Sequence, residues 1–202
     1  MIHTELTNRA MQIACEVHAG QVDKCGTPYV FHPYHLAEQM PDEITACVAL
    51  LHDVVEDTPI TLDELEREFP LEVTEPLRLL APDPAVPYRD YIDALVVDPV
   101  ARTVKRADLM HNLDETRFEG CGRIDETGLS RRRERYRDAL GVLDEGEQFG
   151  LMLERRSAVA ADIESARLTP LAGAAFEEFR STLDTPLLES TRDLLAREET
   201  RV

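Results

Sequence analysis

The stretch Glu43 to Asp57, EITACVALLHDVVED, constrains this chain more than any other. Its apolar residues cover three sides of a helix, and a helix of that kind belongs in the centre of a helical domain. Four ionisable residues nevertheless interrupt it: His52, Asp53, Glu56 and Asp57. His52 and Glu56 are four apart, as are Asp53 and Asp57, so on a continuous helix each pair shares a face. Burying such groups without partners is costly. A divalent cation removes the conflict, because imidazole nitrogen together with carboxylate oxygen suits a first-row ion. A lone buried His is ordinarily a hydrogen-bonded core residue and a lone Asp a helix cap. The group of four on an apolar helix is what points to a metal.

The rest of the sequence reads as helix around this segment. Leu6, Ala10, Ile13, Ala14 and Val17 recur at helical spacing and predict a helix over 4–19. A loop, GQVDKCGTPYVFHP, follows, and a short helix is expected over Tyr34 to Met40, with Asp42 capping the next. Thr61 and Glu64 form a capping box for TLDELEREF. Helices are predicted at Leu71 to Leu80 and Tyr88 to Val97, separated by the Pro-rich APDPAVP. Pro99 suits the first turn of a helix running to about Arg117, and LSRRRERYRDALGVLDE makes another. Two more are expected near 150–168 and 174–198. The chain has nine glycines and no Trp, a balance that favours helix. The expected fold is all-α, with a chemistry-bearing domain over 1–148 and a C-terminal helical extension over 149–202 packed on it.

Charge narrows the partners. A formal net charge of −18 repels DNA, RNA and anionic membranes, so neither nucleic acid nor membrane is expected as a partner. It also repels a phosphorylated small molecule, unless a bound cation with a few Lys or Arg reverses the field locally. Four cysteines, Cys15, Cys25, Cys47 and Cys121, form no C-x-x-C pair and are expected as reduced, packed thiols in a cytoplasmic protein. Neither a signal peptide nor a membrane span is expected. The oligomeric state is not legible.

Further ligands for the metal are expected from elsewhere in the chain. His32 precedes Pro33 at the end of the Gly-containing loop, and Asp108 lies in KRADLMHN. His32, His52, Asp53 and Asp108 together offer two imidazoles and two carboxylates. That set balances a 2+ ion and leaves coordination positions for water and a phosphate oxygen, as metal-assisted hydrolysis requires. His18 and His111 are expected to pack or to orient neighbouring groups.

HAGQVDKCGTPYVFHPYHLA (18–37), ALLHDVVEDTPITLDELEREF (49–69) and VKRADLMHNLDETR (104–117) resemble, in order and spacing, the HD-superfamily hydrolase domain of the RelA/SpoT homologues, above all the small stand-alone alarmone hydrolases. The resemblance covers roughly residues 4 to 145. It implies that His32, His52, Asp53 and Asp108 hold one Mn²⁺. Glu56 and Asp57 would then be the acid–base pair that activates water and assists the leaving group. Lys24 and Asn112 match positions that contact the substrate. The implied reaction removes the 3′-pyrophosphate of ppGpp or pppGpp, giving GDP or GTP. Two positions depart from the family pattern. Asp23 stands where a basic residue usually precedes the loop lysine, and Leu109 stands where Arg or Lys usually follows the last metal Asp. Lys105, Arg106, Arg117 and the Arg131 to Arg135 cluster are the cations available to compensate. Two other functions stay open at this point: a related metal phosphohydrolase acting on another phosphorylated nucleotide, and a non-catalytic nucleotide-binding module on the same scaffold.

Overall fold

The computed structural model describes residues 1–81, 83–118, 121 and 130–147; the expected C-terminal extension over 149–202 lies outside them. The described residues form helices and no strand, with one isolated antiparallel bridge between Val22 and Pro28. No helix among them is long and apolar enough to cross a membrane.

Helix α1, Glu5–Val17, starts where Thr4 and Thr7 cap each other: the Thr7 N–H donates to Thr4 Oγ1 at 3.1 Å and the Thr4 N–H to Thr7 Oγ1 at 2.9 Å. It buries Thr7, Ala10, Ile13 and Ala14, one stripe at helical spacing. Helix α2 runs Phe31–Glu38, three residues ahead of its expected start, because Pro33 is tolerated within a first turn whose N–H groups have no helical partner. Helix α3, Glu43–Leu51, is capped by Asp42, whose Oδ1 accepts from the Thr45 N–H at 2.8 Å. Every residue from Thr45 to Leu51 is buried. Helices α1 and α2, together with α6 (Leu71–Leu80) and α8 (Pro99–Leu113), pack around α3, which is the centre of the core.

The expected single helix over Glu43 to Asp57 is broken. Helix α3 stops at Leu51, and a separate turn, α4 (Val54–Asp57), follows His52 and Asp53. The reason is local. His52 Nδ1 donates to the Ala49 carbonyl at 2.8 Å, which is the acceptor that the Asp53 N–H would use in an unbroken helix. The Asp57 N–H returns to the Asp53 carbonyl at 2.9 Å, so the four-residue spacing of the carboxylates survives the break.

Helix α5, Leu62–Leu65, begins with the predicted capping box: Glu64 Oε2 accepts from the Thr61 N–H at 2.8 Å. Helix α7 is Tyr88–Leu95, and α8 follows with Pro99 in its first turn and Asp98 accepting from the Ala101 N–H at 2.7 Å. A 3-10 turn, Glu115–Phe118, then takes the place of the last turn expected of α8. Residues 130–147 are helical, here α9.

The cysteines correct one expectation. Cys25 and Cys121 form a disulfide, with Cα atoms 5.2 Å apart, so these two are not reduced thiols. The pairing joins positions 96 apart in sequence, Cys25 in the loop after α1 and Cys121 beyond the 3-10 turn. Cys15 is free and exposed; Cys47 is free and buried in α3, as packing requires.

Candidate metal centre and cleft

Three elements bring the site together. The break between α3 and α4 supplies His52 and Asp53, the first turn of α2 supplies His32, and the third turn of α8 supplies Asp108. All four residues are buried, with His52, His32 and Asp108 at 5–6% exposure and Asp53 at 9%. Ligand atoms of His32, His52 and Asp53 lie within 4.8 Å of one another, close enough to share one metal ion. Asp108 approaches this triad through Oδ1, 3.3 Å from His32 Nε2. Its carboxylate is otherwise held by two neighbours on α8: Lys105 Nζ donates to Oδ2 at 2.8 Å and the Asn112 amide donates to Oδ1.

The polar groups fit a cation. His52 Nε2 is buried with Asp53 Oδ2 at 3.1 Å but out of hydrogen-bond geometry, while Nδ1 is committed to Ala49, so the contact of Nε2 is electrostatic alone. An imidazole nitrogen without a well-formed hydrogen bond, crowded against buried carboxylates, is a donor set that fits a 2+ ion. Without one, the pair resolves its charge internally. Burial opposes the His52 imidazolium, but the Asp53 carboxylate outweighs it and holds the pKa up at about 9. Burial likewise opposes the Asp53 carboxylate, and His52 holds it down at about 2. Asp108 lies well below the usual carboxylate range: desolvation is overcome by Lys105 and by hydrogen bonding to His32.

A cleft of about 340 Å³ opens over this centre. Glu56, Asp57, Lys24 and Asn112, all four expected at the site, line it. Burial raises the Glu56 carboxyl, against the pull of Lys105 and with the push of Asp53 and Asp57. Burial and Asp53 raise Asp57, against His18 and His52. Two carboxyls shifted upward beside the His32–His52–Asp53 triad are candidates for proton exchange.

The basic residues proposed to offset Asp23 and Leu109 separate into two groups. Lys105, Arg117 and Arg132 line the cleft. Arg106 instead pairs with Asp144 at 2.7 Å, Arg133 with Glu115 at 3.2 Å, and Arg135 lies over the Tyr88 ring at 4.5 Å. Asp23 itself has a structural duty. Its Oδ1 accepts from the Cys25 N–H at 2.8 Å and the Thr27 N–H at 3.0 Å, folding the loop that presents Lys24. Gly26, at φ +82°, completes that turn. Asp23 Oδ2 meets the Arg117 guanidinium at 3.7 Å, so this corner of the cleft carries a cation from the 3-10 turn. Leu109 is 1% exposed and belongs to the core.

Sequence reasoning did not single out Tyr29, whose hydroxyl donates to Asp53 Oδ2 at 2.6 Å. Nor did it name Tyr136 on α9 as a cleft residue; an aromatic one turn from an Arg carries no signal that separates it from an ordinary helix face.

Residues 10–77 match the model of the HD domain. The chain is 37% identical over 126 residues to a probable GTP pyrophosphokinase of Mycobacterium leprae, a match covering 56% of this chain and 16% of the relative. It is 34% identical over 120 residues to the bifunctional (p)ppGpp synthase/hydrolase SpoT of Escherichia coli, covering 52% and 17%. With the guanosine-3′,5′-bis(diphosphate) 3′-pyrophosphohydrolase of Aquifex aeolicus it shares 33% identity over 123 residues, covering 55% and 18%. The chain thus spans about a sixth of the length of the curated relatives it matches. A solved structure of a metazoan orthologue of SpoT that hydrolyses ppGpp superimposes with a TM-score of 0.57 at 23% identity, covering 75% of this chain and 99% of the other, and shows the shared fold.

Proposed function

We propose that this chain, which carries an HD domain of the RelA/SpoT type, is a metal-dependent phosphohydrolase that removes the 3′-pyrophosphate of ppGpp or pppGpp. The observation that carries the reading is the buried His32–His52–Asp53 triad, with His52 Nε2 pressed against Asp53 Oδ2 at 3.1 Å, beside a cleft lined by two carboxyls with raised pKa values.

His32, His52 and Asp53 would hold the ion, with Asp108 completing the set. A centre of two imidazoles and two carboxylates suits a first-row divalent ion, and the resemblance to the RelA/SpoT hydrolase domain makes manganese the one proposed. When bound, the ion supplies Lewis acidity to a phosphoryl oxygen and acidity to the attacking water. The remaining work falls to the protein. Glu56 and Asp57 divide the proton traffic: one carboxylate takes the proton of the water that attacks the phosphorus nearer the ribose, and the other carboxyl protonates the departing 3′-oxygen. The ribose–oxygen to phosphorus bond breaks, and pyrophosphate and a 5′-diphosphate or triphosphate nucleoside leave. A positioned carboxyl of this kind is worth ~10²–10⁴ in rate. Lys24, with Arg117 and Arg132 on the same cleft, would offset the −18 net charge where the substrate phosphates lie. Asn112 would face the sugar while holding Asp108.

A second reading keeps the chemistry and changes the nucleotide. Asp23, a carboxylate at the cleft corner with its Oδ2 toward Arg117, is the observation that favours it. Turnover of ppGpp, set beside 2′- and 3′-phosphorylated nucleotides with Mn²⁺ present, separates the two. Preferential cleavage of ppGpp supports the alarmone reading; cleavage of another nucleotide alone replaces it.

A further inference from the structure

The two histidines of the triad are held in different ways. His52 gives its Nδ1 proton to the Ala49 carbonyl, an acceptor that can only accept. His32 Nδ1 instead meets another ring nitrogen, Nδ1 of His111, at 2.6 Å. The two rings are parallel to within 6° and their centroids are 4.9 Å apart, the separation of imidazoles joined edge to edge through that contact. Such a short nitrogen–nitrogen contact needs one hydrogen between the rings, so one donates and the other accepts.

The surroundings decide the direction. If His111 donated, the proton of His32 would sit on Nε2, which lies 3.3 Å from Asp108 Oδ1 and 3.6 Å from Asp53 Oδ2, where a metal must bind. Those carboxylates already have donors: Lys105 and Asn112 hold Asp108, and Tyr29 holds Asp53. His111 is itself held in place, its ring stacked on His35 at 4.4 Å and its carbonyl accepting from Arg117 at 3.0 Å. We propose that His111 is a positioning residue: it accepts the Nδ1 proton of His32, fixing His32 in the tautomer whose Nε2 lone pair faces Asp53 and Asp108. This rests on the metal-centre reading of the site and is independent of which nucleotide is cleaved. His111 thereby does through a ring nitrogen what the Ala49 carbonyl does for His52.

The test uses the full chain. Long-range proton–nitrogen correlation on the ¹⁵N-histidine-labelled protein loaded with diamagnetic Zn²⁺ reads the His32 ring; the expected result is a proton held on Nδ1 against His111 and none on Nε2. Calorimetric titration with Mn²⁺ then compares His111→Phe, which keeps a flat ring and removes the acceptor, with His111→Asn, whose Oδ1 stands where Nδ1 did. The Phe variant is expected to lose ~10–100-fold in affinity, the range for such orienting partners, and the Asn variant to retain most of it. A proton on His32 Nε2, wild-type affinity in the Phe variant, or equal losses in both variants would overturn the inference. Failure to turn over ppGpp with these affinities intact would remove the substrate reading and leave His111 in its role.

Discussion

The Tyr29 hydroxyl donates to Asp53 Oδ2 at 2.6 Å, tying the loop that carries Lys24 to the break between α3 and α4. That carboxylate oxygen is also the one nearest both triad histidines, 3.1 Å from His52 Nε2 and 3.6 Å from His32 Nε2. Tyr29 therefore orients a proposed metal ligand without being one. Tyr29→Phe is expected to weaken Mn²⁺ binding by ~10-fold or more while leaving the helical content unchanged. Titration calorimetry with circular dichroism checks both; undiminished affinity would show that Asp53 needs no such support.

Metal binding should be linked to pH through His52. Its pKa, held at about 9 in the metal-free protein, lies above the ordinary value of 6.5, so below about 9 the ring must lose a proton before Nε2 can coordinate. Apparent Mn²⁺ affinity is expected to rise with pH by up to about tenfold per pH unit and to level off near 9. The same shift has the opposite effect on the metal-free fold. A raised histidine pKa contributes stability that is fully present below the unfolded value and lost as pH rises through about 9, because the ion pair with Asp53 disappears. Denaturation midpoints of the metal-free protein at pH 6 and pH 10 measure this.

Lys105 is nearly buried, and its Nζ lies 2.8 Å from Asp108 Oδ2. Asp108 and the neighbouring tyrosines Tyr91 and Tyr88 overcome desolvation and keep it charged. Lys105→Met leaves Asp108 as an uncompensated buried carboxylate, at a cost of about 3–5 kcal/mol. A bound cation would return part of that loss. Urea unfolding with and without Mn²⁺ gives both numbers; a metal-free loss below about 1 kcal/mol would mean that Asp108 relaxes toward water.

Glu56 supplies a kinetic prediction. Burial raises its pKa, so its ionised form is lost at a higher pH than for an exposed carboxyl as the solution is acidified. The acid limb of kcat/KM should therefore lie above the ordinary carboxylate range. Glu56→Gln should keep Mn²⁺ binding and lose ~10²–10⁴ in rate. Full activity in that variant would assign the proton transfer elsewhere.

Much of this was legible in local sequence. The helix at about Leu71 to Leu80 was expected where α6 lies, and the caps at Asp42 and Thr61 were visible as short-range patterns. The residue types of the centre were legible because four ionisable groups on an apolar segment leave few alternatives. What was not legible depends on distant positions or on one competing hydrogen bond. The break at His52 follows from its ring taking the Ala49 carbonyl. Tyr29 reaches Asp53 across 24 positions, His111 reaches His32 across 79, and Cys25 reaches Cys121 across 96. No spacing rule connects such pairs; the packing of α2 and α8 on α3 does. Asp23 looked like a lost cation and is the cap of the loop, with Arg117 bringing the charge from another element.

The most direct measurement is the fate of ppGpp labelled on the outer 3′-phosphate, incubated with the purified protein and Mn²⁺. The expected result is label released as pyrophosphate, with GDP formed in equal amount and the reaction abolished by a chelator and by His52→Ala. Label that stays on the nucleotide, or emerges as orthophosphate, would contradict the proposed removal of the 3′-pyrophosphate.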